Sequence, residues 1–369
     1  MFKAAKRKVV RVSGEELVAA SYLRPERPFP LVMRPTLNGV DLPVWVETNH
    51  ASIENALSKH GAILFRGFNV RSSPEFERVI TAVSEEALEY HERSSPRSQI
   101  CGRIYTSTDY PPDKRIFLHN EQSYNLTFPM KISFYCAKAP ETAGATPIAD
   151  TRNIYRRIAD QIRERFIAGK YLYVRNFGDR FGLSWQEAFQ SGRRIEVEEY
   201  CRRNRIEYEW KSGNRLRTKQ LRDVAAKHPK TGEWVWFNHL TFFHISTLDR
   251  EIQEELRTAF AEEDLPNNTY YGSGGRIEEE VMEHLREAYR QECERFDWAE
   301  GDILMLDNLL VAHGREPYTG DRRIAVGMSE AWGWDRVSTG RRHCSDQEPE
   351  AFVRNSHYLL EEIAHEQID

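Results

Sequence analysis

Cysteine is scarce and scattered. Five occur in 369 residues, at Cys101, Cys136, Cys201, Cys293 and Cys344, and no two form a CxxC pair. An odd, unclustered set argues against a disulfide framework and against a cysteine-ligated structural zinc site. Reduced thiols in a cytoplasmic protein are the expectation. Long apolar runs are absent too: nothing reaches the roughly 18 residues that a spanning helix needs. The opening stretch, "MFKAAKRKVVRVSGEELVAA", is basic but lacks an apolar core followed by a small-residue cleavage site. Nor is there a surplus of positive charge. A net charge of -5, with 30% charged and 40% hydrophobic residues, gives no reason to expect nucleic acid or a membrane as partner. Internal repeats and low-complexity linkers are missing, so residues 1–369 read as one domain.

What the chain does carry is two β-prone regions separated by a helix-prone one. "ASIENALSKHGAILFRGFNV" (51–70) reads as a short helix stopped at Gly61 and then a strand. "SPEFERVITAVSEEALEY" (73–90) reads as an amphipathic helix with Ser73 as its cap. From about 101 to 150, the aromatic and β-branched runs "RIYTSTDY", "RIFLHNEQSY" and "MKISFYCAKA" are separated by Pro and Gly. Residues 151–300 read as mainly helical. "LDREIQEELRTAF" spaces Leu248, Ile252, Leu256 and Phe260 four apart, and "RIEEEVMEHLREAY" does the same with Ile277, Val281 and Leu285. Strand signals return in "GDILMLDN" (301–308) and "RRIAVGMSEAW" (322–332). The two β regions are expected to pair within an α+β domain. Residues 28–150 then supply its N-terminal part and first strands, 151–300 an insertion, and 301–333 the closing strands.

Within the first β region, "FLHNEQSYN" (117–125) places an imidazole and a carboxylate, His119 and Glu121, two positions apart. His313 follows the second apolar strand. Two neutral imidazoles and one carboxylate suit Fe(II) and leave three coordination positions for small ligands. Zinc accepts the same donors. An H-x-E triplet is common, however, and a buried, hydrogen-bonded His/Glu pair inside a sheet explains it equally well on spacing alone. Arg323, ten residues beyond His313, has the planar donor pair that clamps a carboxylate; its plain alternative is a surface charge beside Arg322.

Three stretches together carry a resemblance: "PLVMRPTLNGVDLPVWVETNHASIENALSKHGAILFRGF", "LHNEQSYNLTFPMKISFYCAKAPETAGATPIADTR" and "GDILMLDNLLVAHGREPYTGDRRIAVGMSEAW". Over roughly 28–333 the chain resembles the TauD/TfdA-type (clavaminate synthase-like) Fe(II)/2-oxoglutarate-dependent dioxygenases. The nearest branch is the one associated with nonribosomal peptide and amino-acid natural products. The resemblance implies a double-stranded β-helix (jelly roll) with a large helical insertion between two metal-binding segments. It implies Fe(II) on His119, Glu121 and His313, with 2-oxoglutarate and O2 as co-reactants. Thr146, in "AGATPIAD", would hydrogen-bond the distal carboxylate of the oxo acid and Arg323 would form its ion pair. Arg115 is a candidate for the other end of the oxo acid.

Two departures from the family pattern matter. Glu121 stands where many relatives carry Asp. Relatives that oxidise alkylsulfonates carry another arginine four residues after the clamp arginine; counted from Arg323 that position is Gly327, which disfavours a taurine-like substrate. With a carboxylate at 121, halogenation is disfavoured as well. The implied activity is hydroxylation of an amino acid or amino-acid-derived molecule, free or bound to a peptidyl carrier protein, with release of succinate and CO2. Desaturation or epoxidation is the alternative outcome, and a non-catalytic jelly-roll binding protein the alternative class. "KSGNRLRTKQLRDVAAKHPK" (211–230) is a basic stretch in which Arg215, Arg217 and Arg222 could meet an acidic carrier; a solvated helix face and loop is the competing reading. In "GEWVWFNHLTFFH" (232–244), Asn238 is the candidate substrate contact.

Overall fold

A computed structural model describes residues 17–84, 88, 92, 97–178 and 182–340. Cys344 lies outside the described residues, and the other four cysteines are free thiols. Two sheets pack face to face. The larger begins with β1 (Val18–Arg24), β2 (Arg27–Pro35) and β3 (Ala62–Phe65). It includes β5 (Thr127–Lys138), β7 (Ile303–Asp307) and β9 (Arg323–Gly333). Its order is β1-β2-β3-β7-β5-β9, continued by short strands at Ile104–Thr106 and Gln99–Cys101. The smaller sheet contains β4 (Ile116–His119), β6 (Ile148–Asp150) and β8 (Val311–Arg315), with β8 between the other two. The two β regions of the sequence therefore interleave, β5 of the first lying between β7 and β9 of the second.

Alternation along the strands separates the cores. On β5, Phe128, Met130, Ile132, Phe134 and Cys136 share one face, which packs against Ile148 and Val311 of the smaller sheet. The opposite face of the larger sheet, including Tyr135, Ile303 and Met305, is covered by the helices Leu42–Thr48, His50–His60 and Ser73–Val83. Ala149 and Ala312 of the smaller sheet face away from the larger one, toward aromatic residues of the insertion. Because Val311 and His313 share a face, His313 points between the sheets. The helix His50–His60 ends at Gly61, whose φ of 71° is the left-handed stop its sequence suggests. The next helix is capped by Ser72 instead of Ser73, the Ser72 hydroxyl accepting from the Glu75 amide at 3.4 Å. It ends at Val83; residues 85–87 and 89–90 of the expected span lie outside the described residues.

The insertion departs from its mainly helical expectation. It has helices, Thr151–Arg157, Asp160–Gly169, Arg194–Arg203, Arg250–Ala259 and Glu279–Glu292 among them. It also has a four-stranded antiparallel sheet of Ile206–Lys211, Arg215–Arg222, Tyr171–Phe177 and Asn267–Tyr271, in that order. The strand Arg215–Arg222 is hard to read because its inward positions are Leu216, Thr218, Gln220 and Arg222, so burial alternates while hydrophobicity does not. Gly213 and Asn214 do signal the hairpin: both have positive φ, 70° and 58°. The basic stretch is accordingly not one docking face. Arg222 is buried and donates to the Tyr124 carbonyl at 2.6 Å, and Arg217 pairs with Asp264 at 2.9 Å. Of the three arginines only Arg215 is exposed.

Leu306 is fully buried in the core between the sheets. Leu306→Ala is expected to cost about 2–5 kcal/mol, the range for leucine truncation in a packed core. Urea denaturation should show a lower midpoint at unchanged slope; an unchanged midpoint would contradict this packing.

Candidate active site

Antiparallel pairing of β8 with β4 sets His313 directly opposite His119. Side chains opposite one another on neighbouring strands lie on one face, and the two imidazole centroids are 4.6 Å apart. The strands approach closely at Gly314, where a Cβ would sit 2.6 Å from the Ile116 carbonyl oxygen. Glu121 arrives by another route. β4 ends at His119, and the chain then turns, with Gln122 at φ 54°. Strand alternation therefore does not bring Glu121 beside His119.

The turn is held by Asn308, a residue that motif reading passes over. The Asn308 Oδ1 accepts from the Glu121 amide at 2.8 Å, and its Nδ2 donates to the carbonyls of Glu121 at 2.9 Å and Pro129 at 2.8 Å. Asn120 Nδ2 donates in turn to the Asn308 carbonyl at 2.6 Å. The result is a cluster of His119, Glu121 and His313 whose ligand atoms all lie within 4.8 Å of one another.

The electrostatics suit a divalent metal. Burial holds the His119 pKa low and pushes that of His313 well below the usual histidine range, where the His119 charge adds to the effect. Both rings are thus neutral donors. His119 Nδ1 donates to the Phe117 carbonyl at 2.8 Å, which leaves Nε2 as the nitrogen that could coordinate a metal. Arg97 donates to Glu121 at 2.7 Å, with the two side chains only 5% and 3% exposed. That pairing holds the buried carboxylate in place before a metal arrives. His239 packs beside His119 with ring centroids 5.4 Å apart, its Nδ1 2.6 Å from the Ser123 hydroxyl.

A cavity of about 300 Å³ opens beside the cluster, within the size range of small-molecule sites. One wall holds Thr146 and Arg322. The Thr146 hydroxyl oxygen accepts from Arg322 and from the Trp298 indole, both at 3.1 Å, so its proton is left to donate. Gly144, with φ 69°, shapes the turn leading to Thr146, and Arg322 also donates to the Gly144 carbonyl at 2.9 Å. Burial, reinforced by Arg315, lowers the Arg322 pKa to about 10. Among the described residues no carboxylate pairs with it.

The expected clamp, Arg323, is elsewhere. Its side chain is 69% exposed and pairs with Asp321 at 2.7 Å. The register of β9 shifts between Arg323 and Ile324, so the inward arginine of the doublet is Arg322, just before the strand. Counted from Arg322, the position four residues on is the buried Val326, again not an arginine. Asn238 is also corrected: it is buried, donates to the Val224 carbonyl at 2.8 Å and accepts from the Leu240 amide at 2.9 Å. Its neighbours Phe242 and Phe243 line the cavity in its place. Leu248, Ile252 and Leu256, spaced four apart as one helix face, form part of the wall. Arg115 is an exposed residue of the cavity lining beside Lys114.

Five buried or half-buried imidazoles, His60, His119, His239, His244 and His313, titrate below an ordinary histidine because of burial, His244 at about 4. An unfolded chain therefore binds more protons than the folded one below about pH 6.5, and stability falls on acidification. Glu92, whose pKa burial raises, acts with the opposite sign but is a single group. The Tm of metal-free protein is expected to fall steadily from about pH 7.5 to about pH 5.5. A Tm that stays level or rises would contradict the neutral state of these rings.

Comparison with known proteins gives the chain a family. Residues 26–329 match the taurine catabolism dioxygenase TauD, TfdA family. The chain is 40% identical over 280 residues to the dapdiamide synthesis protein DdaC of Enterobacter agglomerans, covering 76% of this chain and 85% of that protein. It is 27% identical over 320 residues to a clavaminate synthase-like protein of Arabidopsis thaliana, covering 82% and 94%. Among solved structures, PvcB of Pseudomonas aeruginosa superposes with a TM-score of 0.51 at 16% identity, over 87% of this chain and 94% of PvcB. A taurine dioxygenase from Burkholderia xenovorans gives 0.51 at 15% identity, over 90% and 96%. At such identities the structural likeness speaks for the fold. The chain belongs to the TauD, TfdA family and is a 2-oxoglutarate-dependent dioxygenase that uses Fe(II), 2-oxoglutarate and O2.

Proposed function

We propose that the protein hydroxylates an unactivated C–H bond of an amino acid or amino-acid-derived substrate, on a double-stranded β-helix formed by the two packed sheets. The observation that carries this reading is one cavity lined by His119 and His313 of the His119–Glu121–His313 cluster and by Thr146 and Arg322, the latter with no carboxylate partner among the described residues. The first set would hold Fe(II). Arg322 and the Thr146 hydroxyl would take the distal carboxylate of 2-oxoglutarate, a bidentate ion pair reinforced by one hydrogen bond. A zinc hydrolase would use the metal ligands but leave Arg322 and Thr146 without a role. The oxidising equivalent, with succinate and CO2 as by-products, comes from iron, the oxo acid and O2. The protein's part is to orient and to exclude water: Arg97 fixes Glu121, and Phe242, Phe243, Leu248 and Ile252 present an apolar wall for the substrate's carbon skeleton.

At the rim, Lys114 and Arg115 would receive an anionic group of the substrate. Relatives and fold neighbours support a biosynthetic setting: one is named for dapdiamide synthesis, and PvcB is described as an oxygenase from an isonitrile synthetic pathway. Desaturation or epoxidation would use the same residues.

Two measurements test this. Arg322→Met should weaken 2-oxoglutarate binding by roughly 100-fold, as expected when one partner of a buried ion pair is removed. Arg323→Met should leave it within about twofold, as for an exposed charge; equal effects of the two would refute the assignment. Amino acids, free and as carrier-protein thioesters, should be screened with Fe(II), 2-oxoglutarate and O2. A product one oxygen heavier, formed with succinate, is expected. A product two hydrogens lighter would replace hydroxylation with desaturation, and no oxo-acid-dependent product from either set would sink the substrate class.

A further inference from the structure

Arg315 lies two residues past His313 on β8, is only 4% exposed, and has no carboxylate partner among the described residues. Its guanidinium is used on backbone. It donates to the carbonyls of Tyr110 and Lys114, each at 2.7 Å, and to that of Pro111. The rings of Tyr110 and Tyr318 flank it, with centroids 5.8 Å and 5.4 Å from the guanidinium carbon. Burial lowers its pKa, the cost of placing a cation among backbone dipoles and rings.

The segment it grips, residues 107–115, forms the outer wall of the cavity through Ser107, Thr108, Tyr110, Lys114 and Arg115. It contains no strand or helix and includes Pro111 and Pro112, which have no amide hydrogen to donate. Its remaining outside ties are few. Asp109 accepts from Ser98 at 3.1 Å and from Thr106 at 2.9 Å, the Ser107 amide donates to Ile324 at 2.9 Å, and the Tyr318 amide donates to Pro112 at 3.0 Å.

We propose that Arg315 is a positioning residue that fixes the 107–115 loop as the substrate-facing wall, coupling it to the same strand that carries His313. A planar fork of donors can hold several carbonyls in one geometry, which a lysine ammonium matches less well. Because the grip is on carbonyls, side chains of the loop can change without releasing it, and the loop is therefore where substrate selectivity is set. Only its role in selectivity rests on the oxygenase reading of the cavity; the grip itself can be measured without turnover.

The test is amide hydrogen exchange on the full-length protein and on Arg315→Met and Arg315→Lys, with tryptic cleavage after Lys114 and Arg115 as a second readout. In Arg315→Met, exchange of peptides covering 107–116 should be roughly tenfold faster while those covering 127–138 are unchanged. Cleavage at the loop should speed up in parallel. Arg315→Lys should recover part of the protection, and it supplies the comparison if the methionine variant does not fold. In Arg315→Lys, which keeps the charge that bears on Arg322, affinity for Fe(II) with 2-oxoglutarate should stay within about threefold. Unchanged loop exchange in Arg315→Met, acceleration spread equally over 127–138, or full protection in Arg315→Lys would each overturn the proposal.

Discussion

Everything at the centre of this molecule depends on how the Asn308 carboxamide joins two parts of the chain nearly two hundred residues apart. Strand pairing alone can place His119 against His313, because register is a property of the backbone ladder. It cannot place Glu121, which follows the end of its strand. Asn308 closes that gap by satisfying both the amide and the carbonyl of Glu121 while also gripping Pro129 at the start of β5. These groups are buried, so an unmet partner would cost about 1–3 kcal/mol each. Glu121 is therefore positioned as part of the turn, before any metal is considered.

Around that turn the cavity is organised by three arginines with different employments. Arg97 neutralises Glu121, Arg315 is spent on carbonyls, and Arg322 faces the cavity with no acidic partner among the described residues. The Arg315 charge also adds to the burial that disfavours the charge of Arg322. A site in this state gains by accepting an anion. That complements the dianionic cosubstrate of the family, while Phe242, Phe243, Leu248 and Leu256 add apolar surface to the cavity lining.

The sequence made much of this legible. His119 and His313 stand out by residue type, though a buried polar pair explains them equally well on spacing alone, and it is the family resemblance that names them and Thr146 as site residues. Arg322 was hidden by its neighbour: in a doublet, a register shift of the strand decides which arginine faces in, and a shift leaves no mark in composition. Asn238 was misleading for the opposite reason. It lies in a dense aromatic stretch that does reach the cavity, but its amide is consumed by backbone groups while Phe242 and Phe243 form the wall. The sheet within the insertion was obscured because Thr218, Gln220 and Arg222 occupy inward positions normally held by aliphatic residues.

Anaerobic titration of the purified protein with Fe(II) and 2-oxoglutarate addresses the iron centre most directly, through the weak visible charge-transfer band of an iron–oxo-acid chelate. The band should appear in the wild-type protein and be lost in both His119→Ala and His313→Ala. A wild-type protein that binds iron and oxo acid no better than an unrelated control would contradict the assignment, and His119, Glu121 and His313 would then be a buried polar cluster.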